Sequence, residues 1–230
     1  MKFDVVVPTR KMENITSSLL KFLKEDPHVG QIIITEETPL SIARKKACLR
    51  AETEWVAMFD DDMIIPHNWF DIVSKHIGED IGAVSTVAIE GNIHLRAYQL
   101  VVSNLLKLEN IDTALYINNV LIRKEIMMDY NPPPLFLSED MFLKKHVEKK
   151  GYKWKVIPTI GAIHLSKIKS GLEIGVAYKR YKHYNYYQLL RRLIAHFLLS
   201  PFAILYTKKF STLLILWKNN VEFLLGWIKG

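Results

Sequence analysis

Three consecutive carboxylates, Asp60-Asp61-Asp62, follow the apolar run Trp55 to Phe59 and precede Met63-Ile64-Ile65-Pro66. Adjacent carboxylates repel one another, so a fold keeps them together where a cation or several hydrogen-bond donors offset the charge. Oxygen ligands suit Mg²⁺ or Mn²⁺, which would bridge protein and a diphosphate rather than fill an all-protein cage. A solvated acidic turn is the other use of such a run. A second acidic pair, Glu139-Asp140, follows Ser138 at the expected start of a helix. One carboxylate could act there as general base towards a hydroxyl, or the pair could simply favour the helix dipole. His164 follows the strand-like Thr159 to Ile163. A histidine so placed is a core residue unless the fold carries it to the aspartates, where it becomes a third metal ligand.

The elements expected to position these groups alternate between strands and helices. Phe3 to Val7 reads as a strand ended by Pro8, and Asn14 as the cap of a helix through Leu19, Leu20, Phe22 and Leu23. Gln31 to Thr35 is a second strand, Ser41 caps a helix bearing Ala43 and Ala47, and Trp55 to Phe59 is a third strand. Pro66 opens a helix reaching Gly78. Gly82 to Ile89 and Ala114 to Ile122 read as strands, and Asn131-Pro132-Pro133-Pro134 as a loop. A helix then runs from Ser138 to Lys150, closed by Gly151, before a short strand from Trp154 to Ile157.

This alternation predicts an α/β fold with a parallel or mostly parallel sheet and helices on both faces. Ligands bind such sheets beyond the carboxyl ends of the strands. Pro8-Thr9-Arg10, Thr35-Glu36-Glu37 and Asp60-Asp61-Asp62 all fall at strand ends, so three polar clusters converge on one edge.

Taken together, these segments resemble glycosyltransferase family 2, with its Rossmann-like GT-A fold. Val5-Val6-Val7-Pro8-Thr9-Arg10 resembles the family's first nucleotide-binding strand and loop, and Ile32-Ile33-Ile34-Thr35-Glu36 its second strand. Ala43-Arg44-Lys45 is similar to its Ala-Arg-Asn stretch, and Glu54 to Asp62 to the strand carrying the DxD motif. Asn119 to Lys124 resembles the strand beneath the acceptor site. Glu139-Asp140, Gly151-Tyr152-Lys153, Val156-Ile157-Pro158 and His164 follow in the family's order, so the similarity spans residues 3–164.

The resemblance implies an inverting transfer of a sugar from a nucleoside diphosphate to a hydroxyl of a lipid-linked or saccharide acceptor. It implies Asp140 as general base and Glu139 in support of the acceptor. Pro8, Thr9, Arg10, Glu36, Arg44, Asp60 and Asp61 would contact the nucleotide-sugar, with Asp60 on the ribose and Arg44 near the diphosphate. Asp62 and His164 would hold Mg²⁺ or Mn²⁺. The chain departs from the family pattern at Thr35-Glu36-Glu37-Thr38, at Lys45 and at His146.

Composition constrains the rest. Residues 1–164 carry a formal balance of −2 and residues 165–230 one of +9. The division expected is therefore a catalytic domain over 1–165 and a basic, helical extension over 166–230, which meets something anionic. Cys48 is the single cysteine, which excludes an internal disulfide and suits a reducing compartment. Val5-Val6-Val7 is too short for a signal core, so the catalytic part is expected in the cytoplasm.

The extension opens on a cationic run with five tyrosines, Tyr178 to Tyr187, followed by apolar helices over Gln188 to Tyr206 and Ser211 to Ile228. His196 and Pro201 interrupt the first, and Lys218 to Glu222 the second, so neither reads as a good membrane span. Helices of this kind lie in the interface on anionic lipid at the inner face of the cell membrane, or pack on the core, or make a homodimer. No recognised nucleic-acid module accompanies the run, so nucleic acid is not expected as a partner. Two other classes remain. A nucleotidyltransferase would normally open with a Gly-rich loop, which is lacking after Val7; a catalytically inactive binding subunit need not keep both acidic motifs.

Overall fold

A computed structural model describes residues 1–106, 116–134, 139–165, 170–181 and 185–230. In chain order it begins with β1 (Phe3–Pro8), α1 (Ser17–Glu25), β2 (Val29–Thr35), α2 (Leu40–Arg50) and β3 (Trp55–Phe59). β4 (Met63–Ile64), α3 (Trp69–Ser74), β5 (Ile81–Glu90), α4 (Ile93–Leu106) and β6 (Asn119–Arg123) follow. The chain continues through α5 (Lys124–Met128), α6 (Glu139–Lys149), β7 (Lys153–His164), α7 (Gly171–Arg180), α8 (Tyr186–Thr207) and α9 (Ser211–Lys229). It forms two compact units: Met1–Ile89 with Ile111–His164, and Glu90–Asn110 with Leu165–Gly230.

The first unit is built on a seven-stranded sheet of order β2-β1-β3-β6-β5-β7-β4. β1 lies parallel to both β2 and β3, whereas β6 runs antiparallel to β3 and β5, and β4 antiparallel to β7. Parallel pairing therefore belongs to the half of the sheet that ends in the polar clusters. Side chains alternate along each strand, and this period divides the core in two. Val5, Val7, Ala57 and Phe59 pack with Leu19, Phe22, Trp69 and Phe70 on the face covered by α1 and α3. Val6, Val56 and Met58 pack with Ala47, Cys48, Met127 and Leu143 on the face covered by α2, α5 and α6. Cys48 is a core residue whose thiol burial pushes up to about 12.

Several local expectations are corrected. Thr16, not Asn14, caps α1: its Oγ1 accepts from Leu19 N and donates to Met63 O, while Asn14 closes a 3₁₀ turn. Ser41 lies inside α2, where its hydroxyl donates 2.8 Å to Pro133 O across the fold. The helix after Pro66 spans only Trp69–Ser74. The strand expected over 114–122 is displaced to Asn119–Arg123, and residues 114–115 and the cap Ser138 lie outside the described residues. The short strand expected before Pro158 is one twelve-residue strand, Lys153–His164, which continues through the proline.

The second unit consists of α4, α7, α8 and α9. α4 is a helix that the sequence reading passed over; its signal was Asn92, whose Oδ1 accepts from His94 N and Leu95 N. α7 packs closely along α9 through glycines. A Cβ at Gly171 would lie 2.0 Å from Asn219 O, one at Gly175 2.1 Å from Phe223 O, and one at Gly226 2.0 Å from Leu172 O. Only glycine permits backbones so near. α8 meets the expected boundaries and, over Leu189–Thr207, is long and apolar enough to cross a membrane by length and composition, with mean hydropathy 1.4. Only 22% of that window is buried.

Candidate active site

The aspartates are placed by β3, which is wholly buried from Trp55 to Phe59 and releases the chain at the sheet edge. Asp60 N donates to Asn118 O, so the start of the acidic run is tied to the turn before β6. β4 then pairs with the end of β7, setting Met63 opposite His164. That register brings the histidine alongside Asp62, with His164 Nε2 3.1 Å from Asp62 Oδ1. Asp60, Asp62 and His164 each offer a ligand atom, and these atoms all lie within 4.8 Å of one another. Two carboxylate oxygens and one imidazole nitrogen, all half-buried, are a donor set that would hold a divalent cation.

Asp61 is directed elsewhere. The buried Thr9 hydroxyl donates to Asp61 Oδ2 at 2.5 Å, and Asp61 O accepts from Thr16 N. Burial holds the Asp61 carboxyl above its ordinary range despite the Thr9 bond, and repulsion from Asp62 and Asp60 adds to the rise. Its side chain thus joins the loop after β1 to the end of β3.

α2 lies close to the sheet because Ala43 and Ala47 are its buried contacts, and this closeness carries Arg44 into the site. Arg44 is 2% exposed and ion-pairs with Asp60 on one side and Glu139 on the other. Its Nε is buried and has no hydrogen-bond partner among the described residues. The Ser41–Pro133 bond anchors the proline loop beside α2, so that α6 begins next to Arg44. Glu139 is buried at that helix start, while Asp140 is half-buried and its Oδ1 accepts from Met141 N. One guanidinium therefore links the two acidic motifs.

The outer positions are less gathered. Pro8 is buried opposite Thr35, Arg10 is exposed, and Glu36 is exposed with Oε1 accepting from Met12 N at 3.2 Å. Two groups went unread in the sequence. Tyr130 is 5% exposed, and its hydroxyl is buried with no hydrogen-bond partner among the described residues. Burial raises that phenol above its ordinary range, with Arg44 opposing and Asp140 adding to the rise. Its signal was an aromatic residue directly before Asn131 and the three prolines. The second is the network around Asn119, a residue read only as the start of a strand: its Oδ1 accepts from Thr86 N and Oγ1, and Trp69 Nε1 donates to the same hydroxyl. This buried network stiffens the sheet directly behind Asp60.

No family model matches the sequence, and no curated protein matches it either. The fold, by contrast, has clear structural counterparts and is an α/β fold of the Rossmann-like GT-A type. Glucosyl-3-phosphoglycerate synthase from Mycobacterium tuberculosis, in complex with Mn²⁺, UDP-glucose and phosphoglyceric acid, is similar with TM-score 0.54 and 16% identity. That alignment covers 76% of this chain and 75% of that one. The same enzyme with Mn²⁺, UDP and glucosyl-3-phosphoglycerate gives TM-score 0.54 at 15% identity, over 72% of each chain. Its complex with Mg²⁺ and UDP gives 0.52 at 15% identity, over 76% of this chain and 74% of that one.

Proposed function

We propose that the chain is a metal-assisted, inverting glycosyltransferase of the family 2 type, moving a sugar from a nucleoside diphosphate to an acceptor hydroxyl. The observation that carries this reading is the pairing of Asp60, Asp62 and His164 at one strand edge with Glu139 and Asp140 across a shared Arg44. Complexes of the similar synthase with Mn²⁺ or Mg²⁺ and UDP support a divalent cation at such a site. Asp62 and His164, with Asp60 beside them, would hold Mg²⁺ or Mn²⁺, which would supply charge neutralisation for a diphosphate leaving group.

The remaining chemistry falls to the chain's own residues. Asp140 takes the proton of the acceptor hydroxyl as its oxygen bonds to the anomeric carbon. The bond from that carbon to the diphosphate oxygen breaks in the same displacement, and the nucleoside diphosphate departs as an anion. Arg44, fixed between Asp60 and Glu139, keeps donor and acceptor sides in register and places positive charge where the leaving group gains negative charge. Thr9 and Asp61 hold the β1 loop against the donor side, with Pro8, Arg10 and Glu36 along its rim.

The second unit fits attachment to anionic lipid at the cytoplasmic face of a membrane, beside a lipid-linked or surface glycan acceptor. Leu190, Leu198, Phe202, Leu205, Leu214 and Ile228 are exposed on α8 and α9, with Lys208 and Lys209 exposed at the turn between them.

Thermal melts with Mn²⁺ and a panel of nucleoside diphosphates test the donor site; a panel that leaves the melting temperature unmoved would refute it. Asp140→Asn should reduce transfer by about 10²-fold or more while leaving nucleotide binding intact. Wild-type turnover by that variant would remove Asp140 from the mechanism. Leu198→Glu with Phe202→Glu should release the full chain from anionic vesicles. Retained vesicle binding, or a dimer that the pair dissociates, would overturn the membrane reading.

A further inference from the structure

The second unit encloses a cavity of about 170 Å³ that the transfer chemistry does not use. A cavity of about 150 Å³ holds a molecule the size of benzene, so this one has room for a single small organic ligand. It lies among α4, α7, α8 and α9, and two consecutive amides of α9, Asn219 and Asn220, line it beside His196. Leu95, Leu216 and Phe223 give the wall an apolar part.

The hydrogen bonds around His196 settle which way Asn220 presents its amide. His196 is 8% exposed, its Nε2 meets the Tyr98 hydroxyl, and its Nδ1 lies 2.6 Å from Asn220 Oδ1. Burial and the neighbouring Arg192 lower its pKa to about 3, so the ring is neutral. An amide oxygen only accepts, so Nδ1 carries the proton and Nε2 accepts from Tyr98. Asn220 is 5% exposed, and with its oxygen occupied it must turn its Nδ2 donors away from His196. Among the described residues Nδ2 has no hydrogen-bond partner. Asn219 presents the opposite group, a buried Oδ1 that has no hydrogen-bond partner there either. That oxygen faces Gly171, where a Cβ would come within 2.8 Å of it, so glycine in the wall leaves the acceptor open. A donor and an acceptor therefore stand unanswered on adjacent residues, and buried polar groups of this kind are destabilising until something bonds them.

We propose that this cavity binds the vicinal diol of a small uncharged polyol, either free or carried as the glycerol headgroup of a lipid. One hydroxyl accepts from Asn220 Nδ2 and its neighbour donates to Asn219 Oδ1, since a hydroxyl can do either. An ionised carboxylate brings no donor for Asn219, and an ammonium brings no acceptor for Asn220. The carbon chain of the diol meets Leu95, Leu216 and Phe223. The two amides set this class by themselves; Arg192 is held over the rings of Phe223 and Tyr178 and is assigned no bond to the ligand. The site rests on the second unit alone and stands or falls separately from glycosyl transfer.

Ligand-observed NMR titration of the full chain with glycerol and propylene glycol, against n-propanol and isopropanol, tests the free source. Each monoalcohol leaves one amide unanswered, so the diols should bind about tenfold more tightly. Sedimentation with vesicles containing phosphatidylglycerol, against vesicles of equal charge containing phosphatidylserine, tests the headgroup source. Asn219→Leu removes the acceptor, and Asn220→Asp keeps an acceptor for His196 while removing the donors. Either variant should bring the diols down to the level of the propanols, and each is read by itself should the other fail to fold. A diol preference in the parent that a folded variant abolishes supports a free polyol. A phosphatidylglycerol preference abolished in the same way supports a headgroup. Diols and propanols bound alike by the parent, folded variants that keep its preference, or no saturable binding to any probe overturns the site and leaves the cavity to ordered water.

Discussion

In the first unit Val5, Val7, Phe59, Trp69 and Phe70 are wholly buried, as water requires of a core. In the second, α8 buries His196, Ser200 and Thr207 and exposes Leu190, Leu198, Phe202 and Leu205. The same helix thus buries two hydroxyls and an imidazole beside Leu189, Ala195 and Ala203, and leaves several large apolar side chains outward. Its inner groups are satisfied by one another: Thr207 Oγ1 lies 2.7 Å from Thr212 Oγ1, and His94 Nδ1 2.7 Å from the same Thr212 hydroxyl. Backbone contact at Gly171, Gly175 and Gly226 completes the packing. Close glycine contacts and internal polar bonds are how helices associate where the hydrophobic effect does not drive them together. The contrast teaches that the second unit adds close backbone contact and internal polar bonds to its apolar packing.

The largest effect expected concerns where truncation of an aromatic residue matters. Phe70 stacks on Phe3 at 5.3 Å and on Phe22 at 5.8 Å, and Phe70→Ala should cost about 3–5 kcal/mol in denaturant unfolding. Phe202, 48% exposed, should cost within about 0.5 kcal/mol when replaced by alanine. Equal losses at the two positions would erase the distinction between the units.

A smaller loss should follow from adding one methyl group to the α7–α9 contact. Gly175→Ala places its Cβ against Phe223 backbone, which no rotamer change can relieve, and should destabilise the second unit by about 1–3 kcal/mol. Circular dichroism melts of this variant should lose helical signal early, while nucleotide binding at the first unit persists. A variant as stable as the parent would show that the helices are loosely packed.

Acid should separate the units next. His196 has its pKa lowered from 6.5 to about 3 by burial and by Arg192, so the unfolded chain binds the extra proton first. Its contribution to stability is complete above about pH 6.5 and is lost progressively as the pH falls towards 3. His196→Gln should flatten that part of the stability profile. An unchanged profile would show that other groups govern acid unfolding.

How much of this was legible depended on whether a feature is local. Val5 to Val7 and Trp55 to Phe59 are apolar runs bounded by Pro8 and by aspartates, so strands and their polar ends could be read directly. The choice between Asn14 and Thr16 as cap could not, because both residue types cap helices and only Thr16 also reaches Met63 O. The approach of His164 to Asp62 follows from pairing between β4 and β7, a non-local register that no spacing reveals. Arg44 was read as a diphosphate contact; its bridge from Asp60 to Glu139 depends on Ser41 gripping Pro133 O. The apolar character of α8 was evident, but the burial of His196 on it depends on partners in α4 and α9.

The smallest effect expected is an absence of change, and it sharpens the comparison most finely. Cys48 is fully buried under α2, with a thiol pushed up to about 12, so it is both inaccessible and protonated in the native first unit. Its reaction with a thiol reagent therefore reports only opening of that unit. Trp217, 39% exposed on α9, reports the apolar surface of the second unit. Anionic vesicles should shift Trp217 fluorescence to shorter wavelength, measured against Trp217→Phe, and leave the labelling rate of Cys48 within error. A surface that meets lipid without help from the sheet gives this result; faster Cys48 labelling on vesicles would mean that binding works by loosening the first unit instead.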